Sequence, residues 1–165
     1  MNRKQLSPAQ ALNRLAALCS RTEFAESDCR AKLAAWGITP DDADAVIQDL
    51  IDNRFIDDHR YAHAFTNDKL RFSGWGRVKI AYTLRQKAIP SDAIAEAFEE
   101  INEEEYCESL KRIMQSKASS LRGKDYAHSL ASLMRFAVSR GFEPSLASKY
   151  ASNLLRDLPH DDDLI

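Results

Sequence analysis

The sequence predicts an all-helical protein, built as an elongated, curved array of three tandem three-helix repeats. Three observations lead there. No stretch alternates apolar and polar residues with period two over a useful length, whereas apolar residues recur at the three-and-four spacing of a helix face along most of the chain. Helix-opening and helix-stopping residues break that pattern at regular intervals. A turn pattern also returns about every fifty residues, as in helical repeat proteins. Leu33-Ala-Ala-Trp-Gly37-Ile38 corresponds to Leu84-Arg-Gln-Lys-Ala88-Ile89 and, more loosely, to Ala137-Val-Ser-Arg-Gly141-Phe142. At one common offset after these turns stand Leu50, Ile101 and Leu154, each expected on the apolar face of the following helix. Each triplet leaves an apolar side for its neighbour to cover, so stacking is the simplest account. The expected divisions are residues 1–53, 54–101 and 102–158, followed by a flexible acidic tail at 159–165.

In repeat one, Ser7-Pro8 pairs an N-cap with proline at the first helical position, and Leu12, Leu15 and Leu18 form the inward face. A second helix runs from about 26 to 36 and ends at Gly37, a residue suited to the left-handed conformation. Thr39-Pro40 opens a third, with Val46, Ile47, Leu50 and Ile51 facing inward.

The stretch 54–90 organises the chain. Asp57 and Asp58 can each accept hydrogen bonds from the free amides that open a helix. Tyr61, Phe65, Leu70 and Phe72 then follow a buried-face spacing, and Gly74-Trp75-Gly76 breaks the rod. Beyond it, Val78, Ile80, Ala81 and Leu84 make a second apolar stripe, with basic residues mostly around it. The third repeat should hold a helix from about 103 to 120, a break near Gly123, a helix to Arg140 and a last helix from Pro144 to Arg156.

At 165 residues the chain can bury a real core, about 70% of its unfolded surface if it forms one compact domain. Its net charge of −2 gives no overall attraction to nucleic acid or anionic membrane, so any such binding must be local. Cys19, Cys29 and Cys107 are odd in number and form no CxxC, as expected of reduced thiols in a cytoplasmic protein. The N-terminus does not read as a signal peptide, and no run approaches the length of a membrane span.

Charge is segregated. Every charged residue from Lys69 to Lys87 is basic, every one from Asp92 to Glu108 is acidic, and those from Lys111 to Lys124 are basic again. Such blocks are either solvated helix faces or a strip that neutralises phosphates or an acidic protein surface. On charge alone, the candidate contacts are Lys69, Arg71, Arg77, Lys79, Arg85 and Lys87, with Lys111, Arg112, Lys117, Arg122 and Lys124 second. Trp75, flanked by glycines, is a contact residue at a loop tip or a core side chain.

Helix, glycine turn and helix invite a DNA-reading interpretation. Asp41, Asp42, Asp44 and Asp49 in the first repeat, and Asp92, Glu96, Glu99 and Glu100 in the second, would meet phosphates with like charge. Only the last helix, with Lys149 and Arg156, escapes that objection. His59 and His63 lie four apart but lack the intervening glutamate of a zinc-protease motif, so no metal and no cofactor are expected. There is no phosphate-binding glycine loop and no GxSxG, and nothing indicates an enzyme.

FIDDHRYAHAF followed by GWGRVKIAYTLRQKAI resembles the central signature of the RecX family of bacterial RecA modulators. SDCRAKL, at 27–33, is similar to the family's first-repeat pattern. Ala88 stands where the family usually has a turn glycine, Cys29 where it usually has leucine, and the third repeat matches weakly. The resemblance implies a small non-enzymatic helical protein, expected to act as a monomer. It would lie along the groove of the RecA filament on single-stranded DNA and lower its ATP hydrolysis, strand exchange and coprotease activity. The alternative is a protein that binds single- or double-stranded DNA directly.

Overall fold

The computed structural model describes residues 5–157, and the regular elements among them are all helical. In chain order these are α1 (Pro8–Cys19), α2 (Glu26–Ala35), α3 (Pro40–Asp52), α4 (Asp58–Asp68), α5 (Arg77–Gln86), α6 (Ser91–Glu99), α7 (Glu103–Ala118), α8 (Tyr126–Ser139) and α9 (Pro144–Arg156). A π-helical turn, Lys69–Ser73, extends α4, and a 3-10 turn, Ser119–Leu121, extends α7. The acidic tail expected at 159–165 lies outside the described residues.

The helix starts follow from local chemistry. Ser7 Oγ accepts from the Gln10 amide at 3.2 Å, and Gln10 Oε1 accepts in return from the Ser7 amide at 3.0 Å, a reciprocal capping box with Pro8 behind it. Thr39, Asn102 and Asp125 cap α3, α7 and α8 in the same sense. No helix among the described residues is long and apolar enough to cross a membrane.

The chain divides into two compact units. Unit 1 holds the residues up to Phe65 together with Thr83–Glu99; unit 2 holds Thr66–Tyr82 and the described residues from Glu100 onward. In unit 1, α1 and α2 both pack on α3 around Leu15, Cys29, Leu33, Val46, Ile47 and Leu50. In unit 2, α7, α8 and α9 enclose Tyr106, Leu110, Met114, Leu133 and Phe142. Ala147 and Ala151 on α9 keep that helix close to its neighbours.

The three turns aligned by sequence share one hydrogen bond. The Ile38, Ile89 and Phe142 amides donate to the carbonyls of Leu33, Leu84 and Ala137 at 3.0, 3.1 and 3.1 Å, closing the same helix-terminating loop. A fourth copy, not seen in the sequence, runs from Phe55 to Leu50 at 2.8 Å. The residue before the donor is left-handed each time: Gly37, Ala88 and Gly141 have φ of 78°, 58° and 91°, and Arg54 has φ of 60°. Ala88 therefore keeps the same turn as Gly37 and Gly141 while carrying a Cβ that this conformation disfavours.

Four apolar expectations change. Phe72 is 83% exposed and Val78 is 53% exposed, so neither faces a core. The wider π turn after Asp68 rotates the chain off the α4 stripe, which turns Phe72 outward. Val78 shares an exposed face of α5 with Tyr82, four residues on, while Ile80, Ala81 and Leu84 take the buried face. Ile51 lies mostly off the α3 stripe, and Ile101 follows the end of α6 instead of lying on it.

Replacing Ala88 by glycine should raise stability by about 0.5–1 kcal/mol, because relief of left-handed strain outweighs the added freedom of the unfolded chain. Thermal or urea unfolding of Ala88→Gly checks this. An unchanged or lowered midpoint would show that the alanine sits there without strain.

Candidate functional site

The aromatic and basic side chains of the signature stretch are placed by the first turn of α5. A helix start leaves its leading amides without partners, and here unit 2 supplies them from distant sequence. The Gly76 amide donates to the Arg140 carbonyl at 2.8 Å, the Val78 amide to the Gly141 carbonyl at 2.9 Å, and the Arg77 amide to the Tyr106 hydroxyl at 3.0 Å. The backbones approach so closely that a Cβ on Gly76 would overlap Gly141 and Phe142, and a Cβ on Gly141 would overlap Lys79.

The Arg77 side chain closes the same junction. Its guanidinium pairs with Glu103, lies 3.1 Å from Glu143 Oε1 and stacks over the Tyr106 ring at 4.1 Å. The Tyr106 hydroxyl donates in turn to Glu143 Oε2 at 2.7 Å, and burial is the main cause that pushes its pKa well up. Only 20% of the Arg77 side chain is exposed.

Around this junction unit 2 carries a mixed aromatic and cationic surface. Lys69 Nζ and Lys79 Nζ lie 5.0 and 4.2 Å from the centroid of the half-buried Trp75 ring, within cation–π range. Trp75 is thus neither a free loop tip nor a fully buried core residue. Phe72 and Arg71 stand out beside each other on the π turn, and Val78 and Tyr82, the latter 62% exposed, on α5.

The other predicted cations fall into two groups. Lys87, in unit 1, binds Asp28 Oδ1 at 2.8 Å and lies over the Tyr61 ring. In unit 2, Lys111 is held by Glu108 at 2.8 Å and Lys117 lies 5.8 Å from the Phe136 ring. Arg71, Arg85, Arg112, Arg122 and Lys124 are exposed and have no carboxylate within ion-pair distance among the described residues. Sequence reasoning missed Tyr82 and the Glu103–Glu143–Tyr106 cage around Arg77. Tyr82's place opposite the Ile80–Leu84 stripe would have exposed the first; nothing local signals the second.

In unit 1 the acidic pair of the signature divides its work. Asp57 Oδ1 accepts from the Arg60 amide at 3.0 Å and so caps its own helix, whereas Asp58 Oδ1 accepts from the Glu26 amide at 2.9 Å and caps α2. Burial raises the Asp58 pKa. His59 and His63 both face Glu96: His59 Nδ1 is 2.5 Å from Oε2 and His63 Nε2 is 3.7 Å from Oε1. The hydrogen bond to Glu96 raises the His59 pKa above its ordinary 6.5 and lowers that of Glu96.

Because the folded value for His59 lies above the unfolded one, its contribution to stability is complete below pH about 6.5 and is lost as pH rises through the folded value. The side chain is half exposed, so the effect is small and salt-sensitive. His59→Gln should flatten the stability gradient above pH about 6.5, and the ring should titrate above a free imidazole by NMR. An ordinary or lowered ring pKa would remove the pair.

Residues 57–97 match the model of the second three-helix domain of RecX. The chain is 35% identical over 119 residues to regulatory protein RecX of Clostridium botulinum (strain Eklund 17B), covering 71% of this chain and 55% of that protein. It is 29% identical over 146 residues to regulatory protein RecX of Prosthecochloris aestuarii, covering 88% and 94%. The chain thus spans about half the length of the Clostridium relative and nearly all of the Prosthecochloris one. The crystal structure of RecX from Lactobacillus salivarius superposes with a TM-score of 0.80 at 19% identity, covering 96% of this chain and 97% of that one, a likeness of fold. With the signature, the turns and the fold in agreement, the chain belongs to the RecX family.

Proposed function

We propose that this protein is a non-catalytic cytoplasmic regulator. It binds the RecA nucleoprotein filament on single-stranded DNA and restrains it, lowering ATP hydrolysis, strand exchange and coprotease activity. Family membership supports the class. The observation that carries the contact surface is Phe72, 83% exposed beside the exposed Arg71 in a stretch that holds no acid between Asp68 and Asp92. A nucleoprotein presents phosphates and apolar protein surface together, and a cationic surface with exposed aromatics complements both.

The candidate cations then differ in role. Arg71, Arg112, Arg122 and Lys124 are the proposed contacts of unit 2 and Arg85 that of unit 1, with Lys69, Trp75, Lys79 and Lys117 as packed supports. Arg77 and Lys87 hold carboxylates within the protein, so their loss would act through the fold, whereas the exposed pair of Lys111 with Glu108 adds little to stability. Direct binding to bare DNA is the second reading. It is favoured by Phe72 and Tyr82, since an exposed ring offers about 1–3 kcal/mol per stacked base.

The wild-type protein should lower ATP turnover by RecA filaments. The double variant Arg71→Glu, Phe72→Ala should need at least about tenfold more protein for the same effect, a loss near 1.4 kcal/mol, while its circular dichroism and unfolding midpoint stay unchanged. Unchanged turnover with the wild-type protein would end the proposal. Salt-dependent affinity for naked single strands equal to that for coated ones would favour the second reading.

A further inference from the structure

We propose that Cys19 and Cys29 form a reversible disulfide when the protein meets a hydroperoxide, which makes this pair a redox modification site of unit 1. The sequence separates the two thiols and offers no CxxC, but the fold brings them together: Cys19 ends α1, Cys29 lies in the first turns of α2, and their Sγ atoms are 4.0 Å apart. A bond requires about 2.05 Å, so closing it asks for a shift of roughly 2 Å between side chains already in contact. Cys19 is half-buried and Cys29 buried, so the peroxide reaches Cys19 first.

The chemistry balances. Cys19 thiolate attacks one peroxide oxygen, the O–O bond breaks, and Cys19 becomes a sulfenic acid while the departing oxygen is protonated to water or alcohol. Cys29 thiolate then attacks Cys19 Sγ, the S–O bond breaks and a second water leaves. Two thiols are oxidised and one hydroperoxide is reduced. Burial raises both thiol pKa values, so the reaction should be slow near neutrality and accelerate as pH rises. The bond would tie the end of α1 to a helix that also grips the turn after α5. Ser27 Oγ donates to the Lys87 carbonyl at 2.6 Å, and Asp28 binds the Lys87 ammonium.

The test treats the full chain with hydrogen peroxide and measures intact mass and a non-reducing tryptic map. The wild-type and Cys107→Ser proteins should each lose about 2 Da and yield fragments 15–21 and 22–30 as one linked species that dithiothreitol separates. Cys19→Ser should yield none. Cross-linking through Cys107, or conversion of Cys19 to its sulfinic acid with Cys29 still reduced, would overturn the proposal. The wild-type map decides this even if a Cys29 variant fails to fold.

Discussion

Unit 2 depends on the contact between the start of α5 and the turn that ends α8. Of three amides that a helix start leaves without partners, two find backbone acceptors in that turn and the third finds the Tyr106 hydroxyl on α7. Leaving one such buried donor unsatisfied costs about 1–3 kcal/mol, a sizeable part of the stability of a small domain. The contact requires glycine on both sides. Gly141 serves twice: its left-handed φ ends α8, and its missing Cβ admits Lys79. Arg77 can then reach Glu143 and Glu103 because its own backbone is already fixed on Tyr106. The most conspicuous cation of the signature is thereby committed to the fold, and its neighbours are held at defined positions around it.

Unit 1 solves a similar problem with side chains. Ala25 offers α2 no capping oxygen, so Asp58 supplies one from α4, and Asp28 and Ser27 of α2 reach back to Lys87. The paired acids of the signature look equivalent on a helix wheel, yet one serves its own helix and the other a helix that precedes it in sequence. That division explains why two consecutive acids stand there although a single helix start can use only one cap. It also sets the environment of Ala88, since the Lys87 carbonyl and ammonium are held from α2 while the next residue takes a left-handed conformation.

Much of the architecture was legible in the sequence because its signals are local. The caps at Ser7 and Thr39 depend on residues three positions apart, and the correspondence of Gly37, Ala88 and Gly141 depends on a turn whose hydrogen bond spans five residues. Local pattern failed where the helix geometry itself changed. A strict helical count carries the α4 stripe from Phe65 to Phe72, but the π turn intervenes and Phe72 points outward. It failed again where partners are distant: Arg77 meets Glu103 and Glu143, 26 and 66 positions away, and no periodicity reports such a pairing. The charge blocks overstate the cationic surface, because Glu103 of the acidic block pairs with Arg77, while Glu96 of the same block pairs with His59, outside the basic run.

That neutralisation sharpens what a partner could meet. An ion pair between exposed groups adds little to stability, whereas the Arg77 guanidinium itself is largely shielded between Tyr106 and Glu143, so exchanging its carboxylates for external phosphates would first uncover donors the fold already uses. Arg71 faces no such exchange: it is exposed, without a carboxylate partner among the described residues, and adjacent to an aromatic ring whose burial by a partner would release water from apolar surface. The energy available for recognition therefore lies with the side chains the fold does not use, and the π turn, by turning Phe72 outward beside Arg71, places two of them together.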